Sequence, residues 1–284
     1  MFGFLNVYKP KGMTSHDVVN SLRRITGVKQ IGHTGTLDPF AEGVLPLGIG
    51  KATKLFEYLE DDKAYKGIIQ LGQSTTTYDT EGEIVNVSDK TVSLNEIEFV
   101  LNQFRGIIEQ KPPIYSAIKI KGKKLYEYAR SGIEVEVQPR QVTVSKLNML
   151  NYNPELKQLE VYVECSKGTY IRSLANDIGD KLGTYGHLTK LVRVKAGRFN
   201  IDDSVFLDKL TDEKVVNNYI LNPLEYINYP KYNIDDKEYG LVSHGNSFST
   251  DTSQNGIVIL TKDGQIIAVG LAENNIIHPQ KVFI

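Results

Sequence analysis

Between residues 32 and 54 the chain reads GHTGTLDPFAEGVLPLGIGKATK, and one carboxylate of that segment, Asp38, stands among features that would hold it still. Pro39 follows it and biases its backbone to the extended region. Gly32 and Gly35 permit backbone conformations closed to other residues, while His33, Thr34 and Thr36 supply polar neighbours. A carboxylate fixed in a stiff polar loop can act as a nucleophile or as a general base. The same residue types also suit a plainer role, in which Asp38 and Thr36 cap a turn or a helix start. The GIGKAT stretch at 48–53 invites a phosphate-loop reading, which fails on spacing. That loop needs a glycine five residues before the final Gly of G-K-[ST], where this chain has Leu45, and Ala52 stands where Ser or Thr should follow the lysine.

Composition narrows the chemistry further. The 284 residues suit one large domain with a smaller one, and hydrophobic and charged contents of 40% and 24% are those of a globular protein. The one cysteine, Cys165, excludes an intrachain disulfide, argues against a thiolate zinc site and reads as a buried strand residue. The opening MFGFLNVYKPKGMTSHD lacks the pattern of a signal peptide, and no run of 18 apolar residues occurs, so the expected location is the cytoplasm. Net charge is −1, but it is unevenly spread. Residues 105–146 carry +5, residues 162–198 carry +4 and residues 199–284 carry −6. A basic middle is compatible with a cleft that meets phosphates; chance fluctuation would give the same pattern.

The positioning elements follow from periodicity and punctuation. Residues 2–8 read as a strand. Ser15 is expected to cap a helix carrying Val18, Val19, Leu22 and Ile25, which Gly27 ends. Residues 32–43 read as a loop, 43–50 as a buried strand, 51–59 as a short helix and 65–72 as a strand. Ser93 and Glu96 form a capping box ahead of a helix over 94–104. AIKIKGKKL reads as a strand, a glycine turn and the start of a helix through LYEYARSG. Residues 135–147 and 158–166 alternate and read as long strands. Residues 169–183 form an amphipathic helix ending at Gly183. Composition shifts near 225, so the chain divides into residues 1–228 and a small β-rich domain, 229–284, with one helical stretch near 235–243.

Five blocks in order now carry a resemblance. The segment 32–54 resembles the second motif of the bacterial TruB family of pseudouridine synthases. NVYKPKGMTSHDVV resembles that family's first motif and YKGIIQLGQSTTTYDTEGEI its third block. QKPPIYSAIKIKGKKLYEYARSG resembles a later one, and CSKGTYIRSLANDIGDKLGTYGHLTKLVRVKAGRF resembles the block with the family's arginine. The resemblance spans about residues 3–200, and the tail resembles a PUA-type RNA-binding domain more distantly. It implies a pseudouridine-synthase fold of mixed α/β (α+β) class, with a long mixed, mostly antiparallel sheet flanked by helices. The implied activity is isomerisation of the uridine at position 55, in the T loop of tRNA, together with an ability to assist tRNA folding. Neither cofactor nor metal is implied, the partner is the T arm and T loop of tRNA, and a monomer with no membrane or protein partner is expected.

Residue by residue, the resemblance puts Asp38 on the catalytic aspartate, Tyr65 on the tyrosine against the target base and Arg172 on the arginine that pairs with the aspartate. His33 falls on the histidine that helps hold the flipped loop, Lys54 on the motif's terminal lysine and Leu191 on an apolar residue of the base pocket. Taken singly, Tyr65 would be a half-buried strand residue, His33 a surface loop histidine and Arg172 a helix ion pair; only the ordered motifs give them these roles. Lys119, Lys121, Lys123 and Lys124 read as phosphate contacts or as a solvated hairpin, and the basic surroundings favour the first. The chemistry suits these types. Moving the ribose bond of uridine from N1 to C5 is redox-neutral, the base must be flipped out to be reached, and an aromatic face replaces its lost stacking at about 1–3 kcal/mol. A binding or RNA-folding protein on the same scaffold would not need Asp38, Tyr65 and Arg172 together. A structural protein assembling through the tail would need an apolar edge that the sequence does not offer.

Overall fold

The computed structural model describes every residue except Ala117, Lys121, Glu134, Thr252 and Ser253, together with the side chain of Arg130. Its body is a ten-stranded mixed sheet. The order is Val205–Phe206, Gly3–Lys9, Glu42–Ile49, Gly186–Ala196, Lys63–Leu71, Gln158–Cys165, Arg140–Asn153 and Gly106–Gln110, with Ile31–His33 and Phe199–Asn200 paired at its side. Two pairings are parallel, Gly3–Lys9 with Val205–Phe206 and Glu42–Ile49 with Gly186–Ala196; the others are antiparallel. This is the mixed, mostly antiparallel sheet that the sequence leads one to expect.

Alternation decides which face is covered. In Gln158–Cys165 the residues Leu159, Val161, Val163 and Cys165 are buried and their neighbours are not. Two helices close that face, α2 (Leu94–Gln103) through Ile97, Val100 and Leu101, and α4 (Ile171–Leu182) through Leu174, Ala175 and Ile178. Each buried Val, Leu or Ile among them stabilises the fold by about 1.5–3 kcal/mol. The Ser93–Glu96 capping box that starts α2 is formed on both sides. Gly179 lets α4 sit directly on the neighbouring strand, since a Cβ there would lie 2.2 Å from the Gly186 nitrogen.

Local details differ from the sequence reading in instructive ways. The cap of α1 (Ser15–Thr26) is Thr14, in a capping box with Asp17, and Ser15 is instead its first, buried residue. With Thr14 as the cap, the Ser15 hydroxyl bonds instead to the Leu37 backbone. The strand expected over 135–147 runs from Arg140 to Asn153: Pro139 has no N–H for the ladder, so pairing begins after it. The expected helix at 51–59 is a 3-10 helix, Gly50–Tyr58. The Lys-rich segment makes only a two-residue hairpin, Lys119–Ile120 with Lys123–Lys124, before the short helix α3 (Leu125–Arg130).

The C-terminal region forms its own five-stranded sheet, in the order Lys231–Asn233, Gly256–Lys262, Gln265–Glu273, Ile276–Val282, Phe248–Ser249. Ile234, Phe248 and Leu260 pack there with Val242 of the helix Asp236–Ser243. The region also contributes Ile259, Ile266, Val269 and Phe283 to a cluster with Phe4, Val44, Ala52 and Leu55 of the large sheet and its 3-10 helix. The two sheets therefore share an apolar interface, and removing the tail would uncover part of the core.

Candidate active site

The loop carrying Asp38 leaves the strand Ile31–His33, which pairs with Glu42–Ile49 from Ile31↔Ile49 to His33↔Leu47. It is anchored from several sides. Ser15 Oγ donates to the Leu37 carbonyl at 3.1 Å and accepts from the Leu37 N–H at 2.8 Å. The Gly12 N–H and Lys9 Nζ both donate to the Pro39 carbonyl, at 2.8 and 3.4 Å. Leu37, Phe40 and Ala41 plug into the core. Between the buried Leu37 and Phe40, Asp38 keeps its side chain 35% exposed.

The α4 helix brings Arg172 to the same place. Its Nε donates to Asp38 Oδ2 at 2.8 Å, within the range of a charge-assisted bond. The rest of the fork is occupied: Nη1 donates to the Thr77 carbonyl at 3.1 Å and lies 3.5 Å from Asp79 Oδ2, and Nη2 donates to the Tyr115 carbonyl at 3.0 Å. Asp79 is buried and is further bonded by the Thr77 hydroxyl and the Glu81 N–H. Arg172 is thus held from behind by one carboxylate and two carbonyls, so the geometry it imposes on Asp38 is fixed in advance.

Tyr65 and Leu191 complete the floor. They come from adjacent antiparallel strands, with Leu191 opposite Gly67 and Tyr65 opposite Arg193. Asp38, Tyr65, Arg172 and Leu191 line one cleft of about 630 Å³, together with Tyr115, Tyr126 and Tyr170. Burial pushes the Tyr65 hydroxyl above its ordinary pKa, which keeps it neutral. The cleft therefore combines an anchored carboxylate with aromatic faces, a combination that suits a planar base.

The remaining sequence candidates lie elsewhere. His33 is half-buried beside the loop but does not line the cleft; burial, then the Arg193 charge, lowers its pKa, and its Nδ1 has no partner among the described residues. Lys54 is exposed on the 3-10 helix, also outside the cleft lining. Lys119 and Lys123 are exposed on the small hairpin and Lys124 is half-exposed, while Lys121 lies outside the described residues. Sequence reasoning missed Lys9, Asp79 and Arg193, which stand behind the loop and its arginine. Asp79 was within sight, in the TTTYDTEGEI block, but nothing in its spacing says that it meets Arg172.

Lys9 is buried and its ammonium is held by the carbonyls of Pro10, Met13 and Pro39. Burial lowers its pKa to about 8, against a smaller opposing pull from Asp38. Between that value and the ordinary one of about 10.5, the unfolded chain holds more protons on this group than the folded chain. The contribution of Lys9 to stability therefore rises with pH across this window. Urea unfolding of wild type and Lys9→Met at pH 8 and pH 10 should show wild type gaining stability relative to the variant at the higher pH.

Comparison with known proteins adds to this geometry. A family model described as "TruB family pseudouridylate synthase (N terminal domain)" matches residues 23–171, and one described as "tRNA pseudouridylate synthase B C-terminal domain" matches residues 172–227. A protein of Caldanaerobacter subterraneus called tRNA pseudouridine synthase B is 44% identical over 99% of both chains. One of the same name from Staphylococcus haemolyticus is 41% identical, also over 99% of both. Among solved structures, a chain of a Cbf5-Nop10-Gar1 complex superposes with a TM-score of 0.73 at 25% identity, covering 100% of this chain and 85% of that one. A chain of an H/ACA RNP bound to a substrate RNA containing 2'-deoxyuridine gives 0.74 at 24%, with the same coverage, and shows the shared fold. The family match and the named relatives together define an RNA-modifying isomerase of the pseudouridine-synthase class. The chain belongs to the TruB family of pseudouridylate synthases. Among the described residues, no helix is long and apolar enough to cross a membrane.

Proposed function

We propose that the chain converts the uridine at position 55, in the T loop of tRNA, to pseudouridine, with Asp38 as the catalytic carboxylate. The observation that carries the reading is the Asp38–Arg172 pair at 2.8 Å, at the mouth of a cleft floored by Tyr65 and Leu191. The names of the full-length relatives support tRNA as the substrate.

In this reading the target base is flipped into the cleft and lies on the Tyr65 ring, with Leu191 beside it. The N1–C1′ bond breaks, the base turns, and C5 bonds to C1′; C5 then loses its proton and N1 gains one. Electrons balance without an oxidant or a reductant. Asp38 acts at the sugar or at the base as nucleophile or as base, and Arg172 holds it in the attacking position. His33 and Lys54 contact RNA beyond the cleft. Residues 1–228 do the chemistry and 229–284 serve as a PUA-like RNA-binding appendage. The protein works in the cytoplasm as a monomer and also helps tRNA fold.

Site-mapped detection of pseudouridine on unmodified tRNA transcripts tests this directly. Conversion should appear at position 55 and vanish when that uridine is replaced by cytidine. Conversion at another uridine alone would refute the assigned target.

Affinity should come mainly from the basic middle of the chain. Replacing Lys119, Lys121, Lys123 and Lys124 by alanine should weaken all tRNAs alike and reduce the slope of log affinity against log salt, since each lost phosphate contact removes about 0.7–0.9 from the slope. Titrations of wild type and variant at several salt concentrations measure this; an unchanged slope would show the hairpin to be merely solvated. Deleting residues 229–284 is not a clean comparison, because the tail shares a core cluster with the large sheet.

A further inference from the structure

One buried cation is unused by the site as described so far. Arg193, in the strand Gly186–Ala196, is 1% exposed. The cleft carboxylate Asp38 and the buried Asp79 behind it both pair with Arg172. Arg193 bonds to backbone carbonyls instead: Nε to Val44 at 2.7 Å, Nη2 to Gly35 at 3.1 Å and Nη1 to Thr36 at 3.4 Å. Stripping a guanidinium of water without giving it a carboxylate is costly, and an apolar side chain would fill a core position at no such cost.

The position of this cation is set by the sheet twice over. Arg193 stands opposite Tyr65 in the antiparallel register and opposite Gly43 in the parallel one. Gly43 has φ +108°, and a Cβ there would lie 2.3 Å from the Arg193 carbonyl oxygen. The two backbones approach this closely only because residue 43 is glycine. From that fixed point the planar fork reaches under the loop, to the second and third residues before Asp38. Its charge is felt around the loop: after burial, it is the next cause lowering the pKa of His33 and of Lys63, which lines the cleft.

We propose that Arg193 is a positioning residue for the reaction: its fork clamps the Gly35 and Thr36 carbonyls, and so holds Asp38 in register with a base lying on Tyr65. The proposal rests on the function assigned above. A lysine would not replace it like for like, because the Val44, Gly35 and Thr36 carbonyls are reached from three separate nitrogens of a planar fork, a spread that a single ammonium does not have.

The test measures single-turnover pseudouridine formation, tRNA dissociation constants and melting midpoints for wild type, Arg193→Lys, Thr36→Gly and the double variant. Arg193→Lys should slow turnover by about 100-fold, the scale of a 1 Å misplacement, with affinity within about threefold of wild type because neither residue's role is to bind phosphate. Thr36 is exposed, so Thr36→Gly should stay folded while loosening the clamped segment, with a smaller loss of the same kind. The double variant should be no slower than Arg193→Lys, since both changes release the same clamp. Folded Arg193→Lys turning over at close to the wild-type rate would overturn the proposal, and so would losses that multiply in the double variant. Should Arg193→Lys not fold, an unimpaired Thr36→Gly overturns it alone. Wild type that forms no pseudouridine in any tRNA would instead refute the proposed function, which keeps the two failures distinct.

Discussion

Asp38→Asn should abolish conversion while leaving tRNA affinity nearly unchanged. The substitution keeps the shape of the side chain and the anchors of its loop, because Ser15, Gly12 and Lys9 bond to the backbone of residues 37 and 39 and not to the acid itself. What it removes is the charge and the lone-pair reactivity of the carboxylate. Loss of a sole nucleophile or base costs on the order of 10⁴-fold or more in rate. Binding rests on phosphate and stacking contacts, to which this residue adds little. Single-turnover assays with saturating enzyme, paired with filter-binding titrations, separate the two quantities. Retained conversion would remove Asp38 from the chemistry, and joint loss of binding and turnover would return it to a loop-capping role.

Arg172→Met should have the largest effect on the fold as well as on the reaction. The substitution leaves Asp79, almost fully buried, without its cation. Its bonds from the Thr77 hydroxyl and the Glu81 N–H remain but carry no full charge. An uncompensated buried carboxylate costs about 3–5 kcal/mol, which for a chain of this length lowers the melting midpoint by roughly 10 °C. Turnover should fall along with it, since Asp38 loses the bond that orients it. Adding Asp79→Asn to Arg172→Met should recover part of the stability and none of the turnover. If the double variant were no more stable than Arg172→Met, the burial of Asp79's charge would not be what makes Arg172 structurally necessary.

The sequence by itself determined a good deal. Period-two alternation marked Gln158–Cys165, and the helical period with its capping box and terminal glycine marked Leu94–Gln103 and Ile171–Leu182, because these signals arise from neighbours along the chain. The ordered motifs singled out Asp38, Tyr65, Arg172 and Leu191, which the fold gathers into one cleft. Where a local rule had two solutions, the tertiary structure chose between them. Thr14 and Ser15 are both good caps, and Ser15 lost the role because its hydroxyl is committed to the Leu37 backbone 22 residues away.

The support behind the site was decided by tertiary structure alone. Asp79 meets Arg172 across 93 residues, and Arg193 meets Gly35 and Thr36 across about 158. No periodicity encodes such pairings, because they depend on which strands lie side by side in the large sheet. A buried charge is legible only when its partners are known: in sequence, Lys9, Asp79 and Arg193 are three ordinary polar residues. In the folded chain, burial without water makes each of them depend on a particular carbonyl or carboxylate, and those dependencies hold the Asp38 loop in place.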